Sequence, residues 1–150
     1  MKTYARSLFI TSLVTVIYCP ALLGQTKMVD LVSKEWKGPI ASVTYFKALP
    51  GKIDTYSDWL DDVGKPVDDW AVEHGAFESV KTYVNPDPNA PWTHMRVFTF
   101  KNREQQKGMA KVMDAAHKAL YPDEAKREAA LGHKDDLRVA LGGTIMQILK

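Results

Sequence analysis

The chain is poor in the residues and motifs that most enzyme classes use. Its only cysteine, Cys19, lies in an N-terminal segment that we expect to be removed. The remaining protein would then have no disulfide, no thiolate nucleophile and no cysteine ligand for zinc. A glycine-rich phosphate loop and a Gly-x-Ser-x-Gly sequence are also missing, which argues against nucleotide-dependent enzymes and the common hydrolases.

The chain also lacks an excess of charge of one sign. Two of the 20 basic side chains and none of the 18 acidic ones lie in residues 1–24, so the chain that follows this segment is neutral. Nucleic-acid-binding proteins have a basic surface that faces the phosphates. Nucleic acid is therefore not an expected partner.

Residues 1–24 have the features of a secretory signal peptide. Lys2 and Arg6 give a positively charged start, residues 8–23 are apolar and uncharged, and Gly24 is a small residue near which a peptidase could cut. We therefore expect a cleaved signal and a secreted or periplasmic protein.

This segment has two alternative interpretations. A membrane anchor is disfavoured because the apolar run is shorter than the roughly 20 residues that a spanning helix needs and contains Pro20. A lipoprotein attached through Cys19 is disfavoured because the bulky Tyr18 precedes it. We therefore expect no membrane span after removal of the signal.

The rest of the chain is long enough for one domain and too short for two. Residues 25–39 show little periodicity and are interpreted as an extended arm. Residues 40–150 are expected to form the folded domain.

The most amphipathic stretch lies between Tyr56 and His74. On a helical wheel of about 100° per residue, the residues that share a sector of about 120° are Tyr56, Trp59, Leu60, Val63, Val67, Trp70, Ala71 and His74. The acidic residues fall on the opposite face, so we interpret them as solvated and not as metal ligands. His74 is then the polar side chain that the pattern turns inward.

Pro66 should disturb this helix, because proline removes a backbone hydrogen bond and crowds the preceding turn. The apolar phase nevertheless continues from Val63 to Val67. The sequence therefore predicts one kinked helix that ends near Gly75.

The remaining periodic segments complete an α+β order. The strand candidates are residues 40–48, 77–84, 93–101 and 138–149, and a second helix is expected over residues 102–120 with Asn102 at its N-cap. The order β-α-β-β-α-β predicts a ferredoxin-like split βαβ sandwich, in which two helices cover one face of a four-stranded antiparallel sheet. The other face also carries apolar residues, which a second copy would cover in a two-fold homodimer.

Three features within residues 40–149 carry a resemblance to a known superfamily. They are the strand that ends in FKALPGK at residues 46–52, the aromatic first helix, and the proline-rich hairpin before residues 93–101. Together with the element order they resemble the dimeric α+β barrels, in particular the NIPSNAP-like and antibiotic-biosynthesis-monooxygenase-like proteins. The resemblance implies a ferredoxin-like fold and a homodimer. Members of that superfamily include proteins that oxidise aromatic substrates without a cofactor and proteins that bind or degrade haem.

The expected pocket lies between the helices and the sheet. Tyr56, Trp59 and Trp70 could stack there on a flat ligand. His74 could act as a general base or as an axial ligand to haem iron. The structural alternative for His74 is a hydrogen bond to a backbone carbonyl near the helix end.

A second candidate site lies on the third strand, where His94 and Arg96 share a face with Phe98 and Phe100. An anionic or aromatic ligand could be held on this face, or the face could form the core of the dimer. The polar loop at residues 132–138 is interpreted as a solvated turn, because its spacing matches no calcium or zinc signature.

Three functions remain open at this point. The leading one is binding of a small apolar or aromatic ligand by a homodimer, with no cofactor and no metal. The second is a cofactor-independent monooxygenase, or a haem-binding or haem-degrading enzyme, in which His74 is the working imidazole. The third is a non-enzymatic component of an envelope protein assembly.

Overall fold

A computed structural model describes residues 27–149. The expected signal peptide at residues 1–24 lies outside the described residues, so its cleavage and the secreted or periplasmic location stay predictions. None of the helices in the described range is long and apolar enough to cross a membrane.

The described chain is α+β, and its sheet is mixed and has five strands. The strands are β1 (Met28–Asp30), β2 (Ile40–Ala48), β3 (Ser79–Val84), β4 (His94–Phe100) and β5 (Arg138–Gln147). Their order is β1-β5-β2-β4-β3, with β1 parallel to β5 and the other neighbours antiparallel. The four predicted strands are present, and their order is that of a split βαβ fold.

The expected four-stranded sheet is wrong in one respect, because the arm at residues 25–39 contributes an additional strand. Its residues Met28–Asp30 add the fifth strand, and Leu31 N–H then donates to the Ile145 carbonyl at 2.9 Å. Val32 is buried in the main core. A strand of three residues is too short for its alternation to be recognised, so this pairing is visible only in the structure.

The helices lie on one face of the sheet. They are α1 (Ile53–Trp59), a π turn (Leu60–Gly64), α2 (Lys65–Glu73), α3 (Arg103–Leu120), α4 (Glu124–Gly132) and a 3-10 turn (His133–Asp136). The expected N-cap of α3 is confirmed, because the Asn102 side chain accepts a hydrogen bond from Gln105 N–H at 2.9 Å. Met109, Val112 and Met113 of α3 pack on the core beneath them.

The π turn at Leu60–Gly64 joins α1 to α2 without interrupting the helix. Lys65 N–H donates to the Leu60 carbonyl, five residues back. The wider turn lies directly before Pro66, whose nitrogen has no hydrogen to donate to a carbonyl four residues earlier. The helix therefore continues through the proline, and the expected single kinked helix is realised as two α-helical segments around one π turn.

This turn changes which side chains of α2 face the sheet. A π turn holds one residue more than an α turn, so the residues after it are rotated by about 100° relative to an uninterrupted helix. The inward orientation expected for His74 is therefore wrong, and His74 is exposed. The solvated position expected for Asp68 is also wrong, because Asp68 is only 7% exposed.

Strand β4 turns the predicted side chains towards the helices. His94 bonds Ser57 of α1, and Phe100 lies in the core cluster with Phe77. The shared face predicted for His94, Arg96, Phe98 and Phe100 is thus confirmed. The alternative in which this face forms the core of a dimer is wrong, because the helices already cover it.

The opposite face of the sheet carries apolar side chains and no helix. Val43 pairs with Val97 at its centre, and Tyr45 pairs with Met95 one step along the strands. Met146 on β5 is 38% exposed on this face. The Trp92 ring packs beside Tyr45, with the ring centroids 6.0 Å apart, whereas Val43 is only 5% exposed among its neighbours.

We predict that Gly143→Ala destabilises the protein strongly. Gly143 lies between β1 and β2, and a methyl group there would collide with the Val43 carbonyl oxygen and lie 2.8 Å from the Met28 sulfur. Overpacking of this kind typically costs about 1–3 kcal/mol. Urea unfolding should show this loss in the free energy of unfolding.

Gly108→Ala is the matched control. Gly108 is exposed within α3, and a methyl group there meets no atom within 4 Å. Because alanine favours a helix over glycine by about 1 kcal/mol, this variant should be more stable than the parent. Equal stability of the two variants would show that β1, β5 and β2 do not approach one another as described.

Candidate functional site

A cavity of about 180 Å³ lies between the helical layer and the ends of β4 and β5. Its apolar wall consists of Tyr56, Trp59, Val63, Val67, Met113 and Leu131. Its polar side chains are Asp68, Arg96, His117, Lys134 and Arg138. An apolar wall with a few convergent polar groups is typical of a small-molecule site.

A larger hollow of about 320 Å³ lies beside the edge strand β3. Its charged residues include Lys65 and Asp69, which pair with each other while more than half exposed. Water screens such surface charges. The smaller cavity is therefore the better candidate site.

Two of the three aromatic residues expected in the pocket do line it. The rings of Tyr56 and Trp59 are stacked with centroids 6.1 Å apart and an interplanar angle of 17°. Trp59 is held in place because its Nε1–H donates to the Ala130 carbonyl of α4 at 2.9 Å. Trp70 is turned away from the cavity by the rotation of α2, so its expected place in the pocket is wrong.

His74 is found outside the pocket, where it ends α2. Its ring stacks on Trp70 with centroids 3.5 Å apart, and its Nδ1 lies 2.8 Å from the Trp70 carbonyl oxygen. This is the structural alternative, a hydrogen bond to a carbonyl near the helix end. The expected place of the imidazole inside the pocket is wrong, and a functional role for His74 stays a prediction.

Arg96 reaches the cavity as the partner of a buried carboxylate. Its guanidinium binds the Asp68 carboxylate, and the two side chains are 14% and 10% exposed. Burial raises the pKa of Asp68, while the positive charge of Arg96 opposes this shift. Arg96 was predicted from the strand alternation, but Asp68 was not, because the wheel assumed an uninterrupted α-helix.

Arg138, at the start of β5, is the cation that the sequence interpretation missed. Its guanidinium carbon lies 3.8 Å from the centroid of the Phe46 ring and 5.4 Å from that of Tyr56. Burial lowers its pKa. The interpretation of residues 132–138 as a wholly solvated turn is therefore wrong, since Arg138 and Lys134 both line the cavity. No group of three or more His, Cys, Asp or Glu side chains within residues 27–149 could hold a metal ion.

His94 lies behind the aromatic wall and does not line the cavity. It is fully buried, and its ring meets the edge of Tyr56 with centroids 4.4 Å apart. Ligand contact was expected for this residue. The structure places it instead between the sheet and α1, where it supports Tyr56.

Both nitrogens of the His94 ring lie within hydrogen-bonding distance of a hydroxyl group. The Ser57 hydroxyl donates to the Ile53 carbonyl at 3.0 Å, so its oxygen accepts from His94 Nε2–H at 3.1 Å. Nδ1 lies 3.0 Å from Thr93 Oγ1, whose hydroxyl also lies 3.4 Å from the Phe46 carbonyl oxygen. The Thr93 oxygen in turn accepts from Ala48 N–H at 2.7 Å. Burial, together with the charge of Arg138, lowers the pKa of His94 from 6.5 to about 4.

We predict that His94 makes the fold sensitive to acid. Its pKa is about 4 in the folded chain and about 6.5 in the unfolded chain, so between these values only the unfolded chain binds the proton. The free energy of unfolding should then fall by about 2 kcal/mol between pH 7 and pH 4.5 through this residue alone. The free energy of unfolding can be measured by urea unfolding at pH 7 and at pH 4.5. In His94→Gln the difference between the two values should be smaller than in the parent protein by about 2 kcal/mol.

His74→Gln provides the control, because His74 is exposed. This variant should keep the pH dependence of the parent protein. The assignment of the acid sensitivity to the buried imidazole would be overturned if His94→Gln kept the full difference as well.

The comparisons with known proteins add two solved structures. No protein family matches the chain, and no curated protein does. The first structure is a "putative monooxygenase" from Shewanella loihica PV-4, with 12% sequence identity, 77% of this chain and 98% of that chain covered, and a TM-score of 0.49. The second is HapK from Hahella chejuensis, with 10% identity, coverage of 73% and 92%, and a TM-score of 0.49. At these values it is the strand order itself, and not the two similarities, that shows the split βαβ arrangement.

Proposed function

We propose that the mature, exported protein binds a small flat aromatic molecule in the cavity lined by Trp59 and Arg138. The observation that carries this proposal is the stacked pair of Tyr56 and Trp59 along one wall of the cavity. Aromatic rings that are already held in place lose little freedom when a ligand stacks on them. The Nε1–H bond of Trp59 to Ala130 provides this restraint.

The size of the cavity limits the ligand. Sites for drug-sized molecules begin at about 300 Å³, and this cavity holds about 180 Å³. The ligand is therefore expected to have one or two rings. A haem would not fit in the cavity as described.

The other two functions have less support from the geometry. An oxygenase or haem enzyme that uses His74 would need this imidazole beside the ligand, but His74 is exposed and stacks on Trp70. A role in an envelope assembly would use the open face of the sheet. We assign that face to a second copy of the chain, because its apolar residues lie on both sides of the Val43–Val97 pair.

Binding of the neutral probe 1-naphthamide tests the proposed cavity. The chain has four tryptophans, and each gives an indole N–H signal in a ¹H–¹⁵N spectrum. On titration the signal of Trp59 should shift, whereas that of Trp70, outside the cavity, should stay in place. Unchanged positions of all four signals would contradict the proposal.

Val63→Phe should weaken this binding by about tenfold or more, because the larger ring fills space that the ligand needs. Val63 lines the cavity and is half-buried. Val72→Phe is the matched control, since Val72 is 37% exposed on α2 and is not a lining residue. The control should bind the probe like the parent protein.

We also propose that the protein is a homodimer that buries the open sheet face. Light scattering should give the mass of two chains at micromolar concentration. Met146→Lys, which places a charge on this face, should shift the protein to a monomer, because an unpaired charge in an apolar interface is costly to desolvate. Val72→Lys adds the same charge at a similarly exposed position of a helix (37% against 38%) and should leave the dimer intact. A monomeric parent protein would refute the proposal.

A further inference from the structure

Arg138 is a partly buried guanidinium without an acidic partner. It forms no salt bridge within residues 27–149, and its Nε–H is buried without a hydrogen-bond acceptor. Its position between the rings of Phe46 and Tyr56 orders it through cation–π contact. Such contact does not satisfy the five N–H donors of a guanidinium, so the group is arranged to receive an acceptor.

The residues nearby do not supply this acceptor. The Asp68 carboxylate, which also lines the cavity, is bound by Arg96. The negative charge of Asp135 partly opposes the effect of burial on the pKa of Arg138. Asp135, however, lies in the exposed 3-10 turn. Water screens a carboxylate in that position.

The charges that line the cavity leave it positive. Three cations, Arg96, Lys134 and Arg138, face a single carboxylate. His117, which also lines the cavity, adds no negative charge, and burial lowers its pKa. An anion that enters the cavity therefore gains from the local field as well as from hydrogen bonds.

Tyr56 lies at the same place. Its side chain is 1% exposed and forms part of the cavity wall. Burial raises the pKa of Tyr56, so the phenol keeps its proton. The Arg138 guanidinium carbon lies 5.4 Å from the centroid of this ring.

We infer that the ligand of this cavity is an aromatic carboxylate whose ring packs on Trp59 while its carboxylate binds Arg138. This inference rests on the proposed function, and it adds the chemical class of the ligand. The planar fork of a guanidinium matches the two oxygens of a carboxylate. A lysine, which has no such fork, would fit a carboxylate less well at this position. A neutral aromatic molecule would leave the positive charge of Arg138 without a counter-charge in the cavity.

The test compares 1-naphthoate with 1-naphthamide, which have the same rings and differ in charge. The parent protein should bind the carboxylate at least about tenfold more tightly, as expected for one charge-assisted pair. In Arg138→Gln the ratio of the two affinities should fall to about one, because the side chain no longer carries a charge. Arg138→Lys keeps the charge without the fork and should retain part of the preference.

A measurement on the parent protein covers the case in which the Arg138 variants do not fold. The Nε–H signal of Arg138 should shift on addition of naphthoate and should stay in place on addition of naphthamide. Equal affinity of the parent protein for the two probes would overturn the inference and leave the proposed function standing. Binding of neither probe would overturn both.

Discussion

The site depends on one local departure from α-helical geometry, the π turn at Leu60–Gly64. It allows the helix to continue past Pro66, and it sets the rotation of every residue that follows. With this rotation Asp68 points at the sheet, where Arg96 of β4 extends from the opposite side. Without it, Trp70 and His74 would face the sheet and Arg96 would have no partner on α2.

The ion pair between Asp68 and Arg96 is buried, and each charge compensates the other. Removing one charge of a buried pair typically costs 3–5 kcal/mol, since the other charge is left without compensation. Asp68 and Arg96 therefore constrain each other, and the π turn constrains both. The same constraint fixes the wall of the cavity, because Gly64 and Val67 line it next to Asp68.

Sequence patterns predicted the parts of the fold that depend on one regular period. The strands alternate with period two, so the shared face of His94, Arg96, Phe98 and Phe100 was predicted and is confirmed. Asn102 was recognised as a cap because its chemistry is local. The predictions for α2 were wrong because a wheel of constant pitch cannot represent an inserted π turn, although Gly64 and Pro66 do mark where the pitch changes.

Two further features escaped prediction for different physical reasons. Arg138 follows a run of charged residues, and only its pairing with Ala48 shows that it belongs to a strand and turns inward. Strand β1 has three residues, and its stability comes from β5 and from the Asp30–Arg103 ion pair, neither of which leaves a pattern in the arm itself. Both features are set by contacts between residues that are far apart in the chain.

His74 and His94 both lie away from the cavity, so neither imidazole can act as an acid or a base on a molecule bound there. Both nitrogens of His94 are occupied by hydroxyl groups, and the ring lies behind Tyr56. His74 is held outside by Trp70. The groups that do face the cavity include the rings of Tyr56 and Trp59, the His117 imidazole, the Lys134 ammonium and two guanidinium groups. Of the two guanidinium groups, that of Arg96 is paired with a carboxylate and that of Arg138 is not. The buried His94 holds the Tyr56 ring in position from behind. Arg138 packs on the same ring and adds positive charge to the cavity. Both residues therefore contribute to one wall of the cavity.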